Sequence, residues 1–496
     1  QRFAQVPETD NRGDITDRHF CALTHAGETP VAIVTPDLTE DGAALYRALQ
    51  PYCSLSAEDF LQKLAAGRMF SVPLTREPDL PPLPGLAIAS VPKRYGSESV
   101  GEHFLGYCSH GAGAAGLEAA FDSVLKEGSG QKAGRETDAA GRTISDLTLE
   151  QNPARQRNLR LTVDARLQNI VETTGRSYLH CGAAVLLDVR TFDILAMASF
   201  PGFDPSDIAA GLSSPDGAMV NRALCAYDAG SVFKIVVTAA ALEEGVDLGR
   251  YCCTGSVPVG DTTVSCYNRI AHGEESLPEA FAKSCNCYFI RLGEELGADK
   301  ILTMAERFGI GEPHQLYENS GEQPDTAGER GTYYPGELAN LSIGQGSVAL
   351  TPLRGAELAA VVASGGVRTR VNLTESITDG NQKTVQPLST HERERILSRD
   401  TAAMLQAMMY TTTATGTARQ LELDSLGGAG CKTGTAQTGW GEGEQNKVHS
   451  WITGFFPADH PRYALCVFSE NGANEDRPAA PVFAEIARQL LTDSAR

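Results

Sequence analysis

Long apolar runs are missing from this sequence. No stretch approaches the roughly 18 continuous apolar residues that a membrane-spanning helix needs. The chain opens with QRFAQVPETDNRG, which is not the charged and then apolar pattern of a signal peptide. As printed, the sequence is therefore expected to be a soluble chain, with any membrane anchor lying upstream or removed.

A surplus of basic residues is also missing. Lysine and arginine number 42 against 62 aspartates and glutamates, so the formal net charge is -20. Nucleic acids are bound by basic faces, so this balance argues against a nucleic-acid partner. The hydrophobic share of 42% is typical of a globular chain.

The 12 cysteines contain no CxxC pair, and their tightest group is Cys252, Cys253 and Cys266, with His272 shortly after. A structural zinc site needs four ligands, usually in two closely spaced pairs, and this group offers no second pair. We therefore expect no metal here. Two alternatives stay open: a disulfide from Cys266 to Cys252 or Cys253 in an oxidising compartment, or free buried thiols.

Two regions of different character divide the chain near residue 155. Residues 1–155 mix short β-like runs with loops, and stronger signals begin near Leu159. AAVLLDVRTFDILAMAS predicts a hairpin, HSWITGFFP and RYALCVFSEN predict adjacent antiparallel strands, and APVFAEIARQLL predicts an amphipathic helix. This order predicts an α+β domain over 156–496, with helices packed on a sheet.

Two helices are expected between these strands. The stretch from Ser231 to Glu244 is apolar around most of its faces, which predicts a helix buried in a large core, with Gly245 as its stop. PEAFAKSCNCYFIRLGEELG predicts a second helix, ended by Gly293 or Gly297.

Ser231 and Lys234 lie three residues apart at the start of the first helix. This spacing puts both side chains on one helical face. A serine hydroxyl needs a base to take its proton, and burial can keep a lysine neutral enough to serve. The spacing alone proves little, because Ser123 and Lys126 repeat it by chance.

Two further elements follow Ser231 and Lys234 in a fixed order. They are Ser284-Cys285-Asn286 and Lys432-Thr433-Gly434-Thr435. Together the three elements form the joint signature of serine acyl-transfer enzymes with an SxxK nucleophile. Ser123 comes too early, in the region before the predicted α+β domain, so we select Ser231 as the nucleophile.

Each downstream residue has a chemical reason to be present. Ser284 can relay a proton to a leaving amine, and Asn286 can hold a substrate amide. Lys432 and Thr433 offer a cation and a hydroxyl to a substrate carboxylate. Gly434 leaves room for a substrate to lie along the strand edge.

The chain resembles the class B penicillin-binding proteins, which are monofunctional peptidoglycan D,D-transpeptidases. RGDITDR, HFLGYC, GAAGLEAAFDSVL, ILAMASFPGFDPS, AGSVFKIV, LSIGQGSVALTPL and CKTGTAQ occur in the family's order. A class A β-lactamase is shorter and lacks the N-terminal module. The resemblance implies an elongated β-rich pedestal or dimerisation-type module over 1–155. A penicillin-binding transpeptidase domain follows over 156–496, an antiparallel sheet flanked by helices, with an all-helical part.

The resemblance also implies the reaction. Ser231 would attack the penultimate D-Ala of a stem peptide ending in D-Ala-D-Ala, and the amine of a neighbouring stem would take the acyl group. Lys234 would be the general base, and Ser284 and Asn286 would complete the proton relay and the substrate contact. β-Lactams would acylate the same serine.

The carboxylate and oxyanion contacts are implied in the same way. Lys432, Thr433 and Thr435 would bind the substrate carboxylate, and the N–H groups of Ser231 and Thr435 would form the oxyanion hole. No cofactor is expected. The family further implies a location at the outer face of the cell membrane and a glycosyltransferase partner.

The motifs leave two alternative functions open. A D,D-carboxypeptidase would share these motifs, and a non-catalytic scaffold of a wall-synthesis complex is the alternative from another class. A role in sporulation or division is the nearest resemblance within the family. Phe192 stands where relatives usually have a turn glycine, which predicts a hairpin turn of a different type.

Overall fold

The computed structural model describes residues 2–5, 12–96, 99–127, 132–135, 148–150, 154–423, 427–437, 448–472 and 478–494. Its strands are β1 (Arg2–Gln5), β2 (Ile15–Thr16), β3 (Gly27–Val34), β4 (Phe70–Pro73), β5 (Leu86–Lys93), β6 (Cys108–Ser109), β7 (Ala112–Gly113), β8 (Lys132–Arg135), β9 (Thr148–Glu150), β10 (Arg157–Leu161), β11 (Gly182–Asp188), β12 (Ile194–Phe200), β13 (Tyr227–Asp228), β14 (Tyr251–Cys253), β15 (Ser256–Val259), β16 (Thr262–Ser265), β17 (Gly273–Glu275), β18 (Ala349–Leu350), β19 (Val367–Thr369), β20 (Thr374–Asp379), β21 (Thr384–Pro387), β22 (Arg393–Arg395), β23 (Gly430–Gln437), β24 (Val448–Phe456) and β25 (Tyr463–Ser469).

The α-helices follow the same numbering. They are α1 (Gly42–Leu49), α2 (Ala57–Ala65), α3 (Glu102–Leu105), α4 (Gly116–Ala120), α5 (Asp122–Lys126), α6 (Ala165–Tyr178), α7 (Ile208–Leu212), α8 (Lys234–Glu244), α9 (Leu277–Lys283), α10 (Asn286–Leu296), α11 (Ala298–Arg307), α12 (Pro335–Ile343), α13 (Pro352–Ala363), α14 (Arg399–Ala414) and α15 (Ala479–Ser494). Within the residues that the structure describes, no helix combines the length and apolar character that crossing a bilayer requires.

The chain folds into two compact units. The first consists of Gln1–Leu161, Asp204–Ile208 and Glu375–Leu388. The second consists of Thr162–Phe203, Ala209–Thr374 and Ser389–Arg496.

The first unit contains an antiparallel sheet in which β3 lies between β4 and β5. Ala32 of β3, Phe60 of α2 and Phe70 of β4 share one buried hydrophobic cluster. Helix α2 begins after Ser56, whose side chain accepts a hydrogen bond from a backbone N–H in the first turn. Sheet and helices therefore enclose a small core of their own.

Two of the motifs quoted above meet inside this first unit. Arg12 of RGDITDR lies 3.1 Å from the carboxylate of Glu118 in GLEAAFD. Arg94 pairs with the same carboxylate, and all three side chains are buried. A buried charge is tolerated only when it is paired, so these three residues depend on one another.

The second unit is built on a five-stranded antiparallel sheet in the order β12-β11-β25-β24-β23. Helices α6 and α15 cover one face, where Leu186, Ile452 and Phe483 belong to one buried cluster. Helix α13 packs on the other face so closely that a Cβ added at Gly355 would come within 2.6 Å of Cys466 Sγ. The fold class is thus α+β, as predicted, and β23 is one of the two edge strands of the sheet.

The predicted hairpin, strand pair and terminal helix are confirmed as β11 with β12, β24 with β25, and α15. The turn of the hairpin keeps a left-handed residue although no glycine is present. Phe192 has φ +60° and is fully buried, and its N–H donates to Asp188 O over 2.8 Å.

The two predicted internal helices are only partly as expected. Helix α8 is buried from Lys234 to Ala241 and stops at Gly245, as predicted, but Gly230–Phe233 before it form a 3-10 turn. The second predicted helix is wrong as a single element, because it breaks into α9 and α10 at Ser284. The break has a left-handed backbone, with φ +58° at Ser284, and apolar periodicity alone does not reveal it.

Candidate active site

Ser231 lies on the 3-10 turn that leads into α8. The turn is held from both sides by backbone hydrogen bonds: the Gly230 N–H donates to Gly344 O over 2.7 Å, and the Ala229 N–H donates to Val348 O over 3.2 Å. The residues after Ser231 are buried, whereas Ser231 itself is half-buried and lines a cleft. The turn therefore presents one hydroxyl to solvent on a rigid support.

Lys234 is fully buried at the first position of α8. Its Nζ donates to Ser284 O and to Asn286 Oδ1, each over 2.8 Å, and reaches Ser284 Oγ over 3.4 Å. The ring of Phe289 lies below the amine, with its centroid 5.1 Å away. In the described part of the chain no hydrogen bond joins this amine to Ser231, so its partners come from the α9–α10 break.

The break between α9 and α10 brings Ser284 and Asn286 to the same place. Ser284 is the left-handed C-cap of α9, and Asn286 opens α10. The Asn286 Nδ2 donates to Ser265 O over 3.0 Å, which fixes the amide so that its oxygen faces Lys234. Both residues line the same cleft as Ser231.

Lys432 is fully buried on β23 and does not reach the cleft surface. Its Nζ donates to Ser284 Oγ over 2.9 Å and to Thr433 O over 2.8 Å. The Ser284 hydroxyl thus stands between two amines. Sequence reasoning expected Lys432 to face a substrate carboxylate directly; the structure places it beneath the floor of the cleft, in contact with Ser284.

Thr433 and Thr435 face the cleft from β23. The Thr433 hydroxyl is hydrogen-bonded to that of Thr417 over 2.6 Å. Gly434 also meets a packing constraint that the sequence did not reveal: a Cβ there would lie 3.0 Å from Val232 Cγ1 and 3.1 Å from Trp451 Cβ. The glycine therefore allows β23 to approach the Ser231 turn.

The cleft has a volume of about 1100 Å³. All of the predicted site residues except the two buried lysines line it, namely Ser231, Ser284, Asn286, Thr433, Gly434 and Thr435. An open groove bounded by an edge strand suits an extended peptide. The structure thus brings the three sequence elements together, although about 50 and 150 residues separate them along the chain.

The two buried amines have perturbed proton affinities. Burial lowers the pKa of Lys234 to about 8, against weaker opposing effects of Cys285, Cys266, Cys287 and Glu275. Burial also lowers the pKa of Lys432 well below its usual value, and the nearby charge of Lys234 lowers it further. Two ammonium groups sharing one hydroxyl repel each other, so one amine is favoured in its neutral form.

This environment predicts a pH dependence for any reaction that uses Lys234 as a base. The neutral amine is the active form, and with a pKa of about 8 its fraction falls about tenfold per pH unit below that value. Acylation of Ser231 by a fluorescent penicillin should therefore accelerate from pH 6 to about pH 8 and then level off. A rate constant that is flat over this range would contradict the role of Lys234.

Gly344 is a support that motif reading did not single out as functional. It ends α12 with φ +76°, and a Cβ there would lie 2.0 Å from Gly230 O and 2.8 Å from Phe233 Cβ. The positive φ and the lack of a Cβ let Gly344 lie close enough to accept the hydrogen bond from the Gly230 N–H, which holds the turn that carries Ser231. Thr417 was also missed, because no motif includes it.

Gly344→Ala is expected to destabilise the protein by more than about 3 kcal/mol and to slow acylation of Ser231. Gly365→Ala is the matched control, since Gly365 has φ +75° with nothing near its Cβ position. The control should cost only the left-handed penalty of about 1–2 kcal/mol. Equal midpoints of urea unfolding for the two variants would show that the contact with Gly230 is unimportant.

The cysteines near the site are thiols. Cys253 and Cys266 have their Sγ atoms 3.7 Å apart, and every cysteine is free. Of the two alternatives that the sequence left open, this structure has free thiols rather than a local disulfide. Cys252 points away and is exposed, but Cys285 and Cys287 come within 3.7 Å and 3.5 Å of Cys266 Sγ.

Comparisons with known proteins place this geometry in context. Residues 182–488 match the family model of the penicillin-binding protein transpeptidase domain. The chain is 30% identical to stage V sporulation protein D of Bacillus subtilis, over 99% of this chain and 78% of that protein. It is 32% identical to the peptidoglycan D,D-transpeptidase PbpA of Mycobacterium tuberculosis, over 72% of this chain and 74% of the relative.

A solved structure is similar over most of the chain. It is penicillin-binding protein A of M. tuberculosis, as its acyl-enzyme complex with penicillin G. The TM-score is 0.67 at 27% identity, covering 82% of this chain and 94% of the other.

Proposed function

This chain belongs to the penicillin-binding protein transpeptidase family, and we propose that Ser231 is the nucleophile with which it cross-links peptidoglycan. The enzyme is a serine-type D,D-transpeptidase that β-lactams acylate. One observation carries the assignment of the residues. The buried Lys234 amine, three residues after Ser231, donates to Ser284 O and Asn286 Oδ1. The Lys432 amine donates to the Ser284 hydroxyl.

In the first step the Ser231 hydroxyl attacks the carbonyl of the penultimate D-Ala. Its proton passes to the neutral Lys234 amine, and the C–N bond to the terminal D-Ala breaks after a tetrahedral intermediate. The backbone N–H groups of Ser231 and Thr435 are proposed to hold the oxyanion. In support, a Cβ at Gly230 would come within 2.7 Å of Thr435 O, so the two segments are adjacent.

The departing amine needs a proton, and Ser284 is proposed to deliver it. Its Oγ accepts a hydrogen bond from Lys432 and lies 3.4 Å from Lys234. A proton can therefore move from Lys234 through the Ser284 hydroxyl to the leaving group. The hydrogen bond from Lys432 stabilises negative charge on Ser284 Oγ during this transfer. We propose that Asn286 contacts the substrate amide and that Thr433 and Thr435 contact the terminal carboxylate. All three residues line the cleft, which supports these contacts.

The acyl-enzyme is then resolved by the amine of a neighbouring stem peptide, which forms the cross-link. Because a nascent glycan must be made before it is cross-linked, we propose a glycosyltransferase as the partner. The outer face of the cell membrane is the corresponding location. We assign residues 1–155 to a pedestal-type module and 156–496 to the transpeptidase domain, although 156–161, 204–208 and 375–388 belong to the first compact unit. The family match over residues 182–488 supports the second assignment.

The test is product analysis with a donor peptide ending in D-Ala-D-Ala and a stem-peptide amine as acceptor. We expect a cross-linked dimer together with free D-Ala, both absent from Ser231→Ala. Release of D-Ala with only a hydrolysed donor would favour the carboxypeptidase. Neither product, from a folded chain that penicillin does not label, would favour the scaffold.

A further inference from the structure

Three cysteines and one histidine meet directly behind the α9–α10 break. They are Cys253 at the end of β14, Cys266 after β16, His272 before β17, and Cys285 at the N-cap of α10. We call these four residues the Cys3His cluster. Their three sulfurs and one ring nitrogen all lie within 4.8 Å of one another.

Three of the six edges of this cluster have the lengths of a zinc tetrahedron, and the other three are within 4.8 Å. The Sγ of Cys266 lies 3.7 Å from that of Cys253 and 3.7 Å from that of Cys285, and Cys253 Sγ lies 3.5 Å from His272 Nδ1. With Zn–S near 2.3 Å and Zn–N near 2.05 Å, ideal tetrahedral edges are about 3.8 Å for S···S and about 3.6 Å for S···N. From this agreement we propose that the Cys3His cluster binds one Zn²⁺ ion.

The chemistry of the four donors fits the same ion. Three thiolates and an imidazole are a typical structural zinc set, and four protein ligands leave no open position. The three cysteines are buried, and His272 is half-buried at the rim. The thiolate of Cys285 also faces the first turn of α10, where it accepts from the Tyr288 N–H over 3.4 Å.

Sequence spacing argued against zinc because Cys253, Cys266 and His272 had no second pair. The fold supplies the fourth ligand as Cys285, from the Ser284-Cys285-Asn286 element. Cys287 Sγ is 3.5 Å from Cys266 Sγ and stands outside the tetrahedral set. Spacing missed the site because its ligands come from four separate segments.

The position of the ion implies a role in the reaction; this part of the inference rests on the proposed function. Cys285 lies between Ser284 and Asn286, and Cys266 directly follows Ser265, whose carbonyl holds the Asn286 amide. Zinc would therefore clamp both ends of that hydrogen bond. Its loss should misplace the partners of Lys234 and slow acylation of Ser231, by roughly a hundredfold for a displacement near 1 Å.

The first experiment measures metal in the whole chain. Protein purified under reducing conditions, stripped with a chelator and reloaded with Zn²⁺, should retain one zinc per chain by elemental mass spectrometry. Cys266→Ser should retain less than a tenth of that amount. Cys252→Ser, an exposed neighbour of a ligand, should retain the full amount. A reloaded wild type without zinc, or with a disulfide between two of the ligands, would overturn the proposal.

A second measurement keeps the outcome clear if Cys266→Ser does not fold. His272→Ala removes a rim ligand, and its Co²⁺-loaded form should lose the strong visible absorption that tetrahedral thiolate-bound cobalt gives in the wild type. Equal spectra for both proteins would exclude His272 as a ligand and contradict the cluster.

Acylation of the metal-free wild type by penicillin is followed alongside. An unchanged acylation rate would remove the proposed role in the reaction. Zinc binding without any acylation, in either form, would instead count against the nucleophile assignment and leave the metal site standing.

Discussion

Ser231→Ala is expected to abolish covalent attachment of penicillin. Ser231 is half-buried, lies on the 3-10 turn Gly230–Phe233 and lines the cleft, three residues before the buried Lys234. Without the Ser231 hydroxyl no ester can form, whereas the cleft should keep its shape because Ser231 contributes no core packing. Intact-mass spectrometry should show the penicillin adduct on the wild type and none on the variant.

Ser123→Ala is the matched control, since Ser123 and Lys126 have the same spacing. They lie on the short helix α5 in the first unit, where Lys126 is exposed and paired with Asp122 over 2.8 Å. That lysine is exposed, whereas Lys234 is fully buried. Loss of labelling in Ser123→Ala, or an adduct on a serine other than Ser231, would overturn the assignment.

Lys234→Ala is expected to have the second-largest effect, slowing acylation by about 10²–10⁴-fold. The variant loses the proposed base for the serine proton and the amine that donates to Ser284 O and Asn286 Oδ1. Stopped-flow mixing with a fluorescent penicillin separates the noncovalent binding constant from the acylation rate constant. We expect the rate constant to fall and the binding constant to change little.

Two checks separate this catalytic effect from a structural one. Lys126→Ala should leave the rate unchanged, because it removes a lysine of the same spacing outside the site. The rate of Lys234→Ala should also lose the dependence on pH between 6 and 8, since the titrating amine is gone. A folded variant that keeps the wild-type rate would remove Lys234 from the mechanism.

Local pattern was enough to predict much of this protein. Alternating and continuous apolar runs predicted β11, β12, β24 and β25, because strand burial imposes those patterns on the sequence. The order of the three motifs predicted Ser231 as the nucleophile, since it is the Ser-x-x-Lys serine that lies in the same predicted domain as the two later motifs. Gly245 was predictable as a helix stop because a left-handed C-cap favours glycine.

Local pattern failed where the backbone departs from regular geometry. The second internal helix was predicted as continuous, but Ser284 adopts a left-handed conformation that breaks it. The break turns one serine and one asparagine toward Lys234. Apolar periodicity continues on both sides of such a break, so the sequence carries no signal for it.

Burial decided the places of the two lysines. The apolar residues after Lys234 predicted that its amine is buried, and it is buried in the structure. The sequence also predicted that Lys432 faces the substrate, but Lys432 is buried too. The packing of β23 against α9 and α14 instead buries Lys432 beside Ser284. Whether a strand residue faces solvent or core depends on what covers that strand, which spacing within a motif does not encode.

The sequence by itself therefore determined the fold class, and it predicted the proposed nucleophile and the set of candidate residues around it, because each follows from local periodicity or motif order. Only the tertiary structure decided how these residues touch. It placed Ser284 between two amines, made Gly434 and Gly344 necessary for close backbone approach, and joined Cys285 to Cys253, Cys266 and His272. These contacts join segments far apart in the chain, and such distances are set by packing.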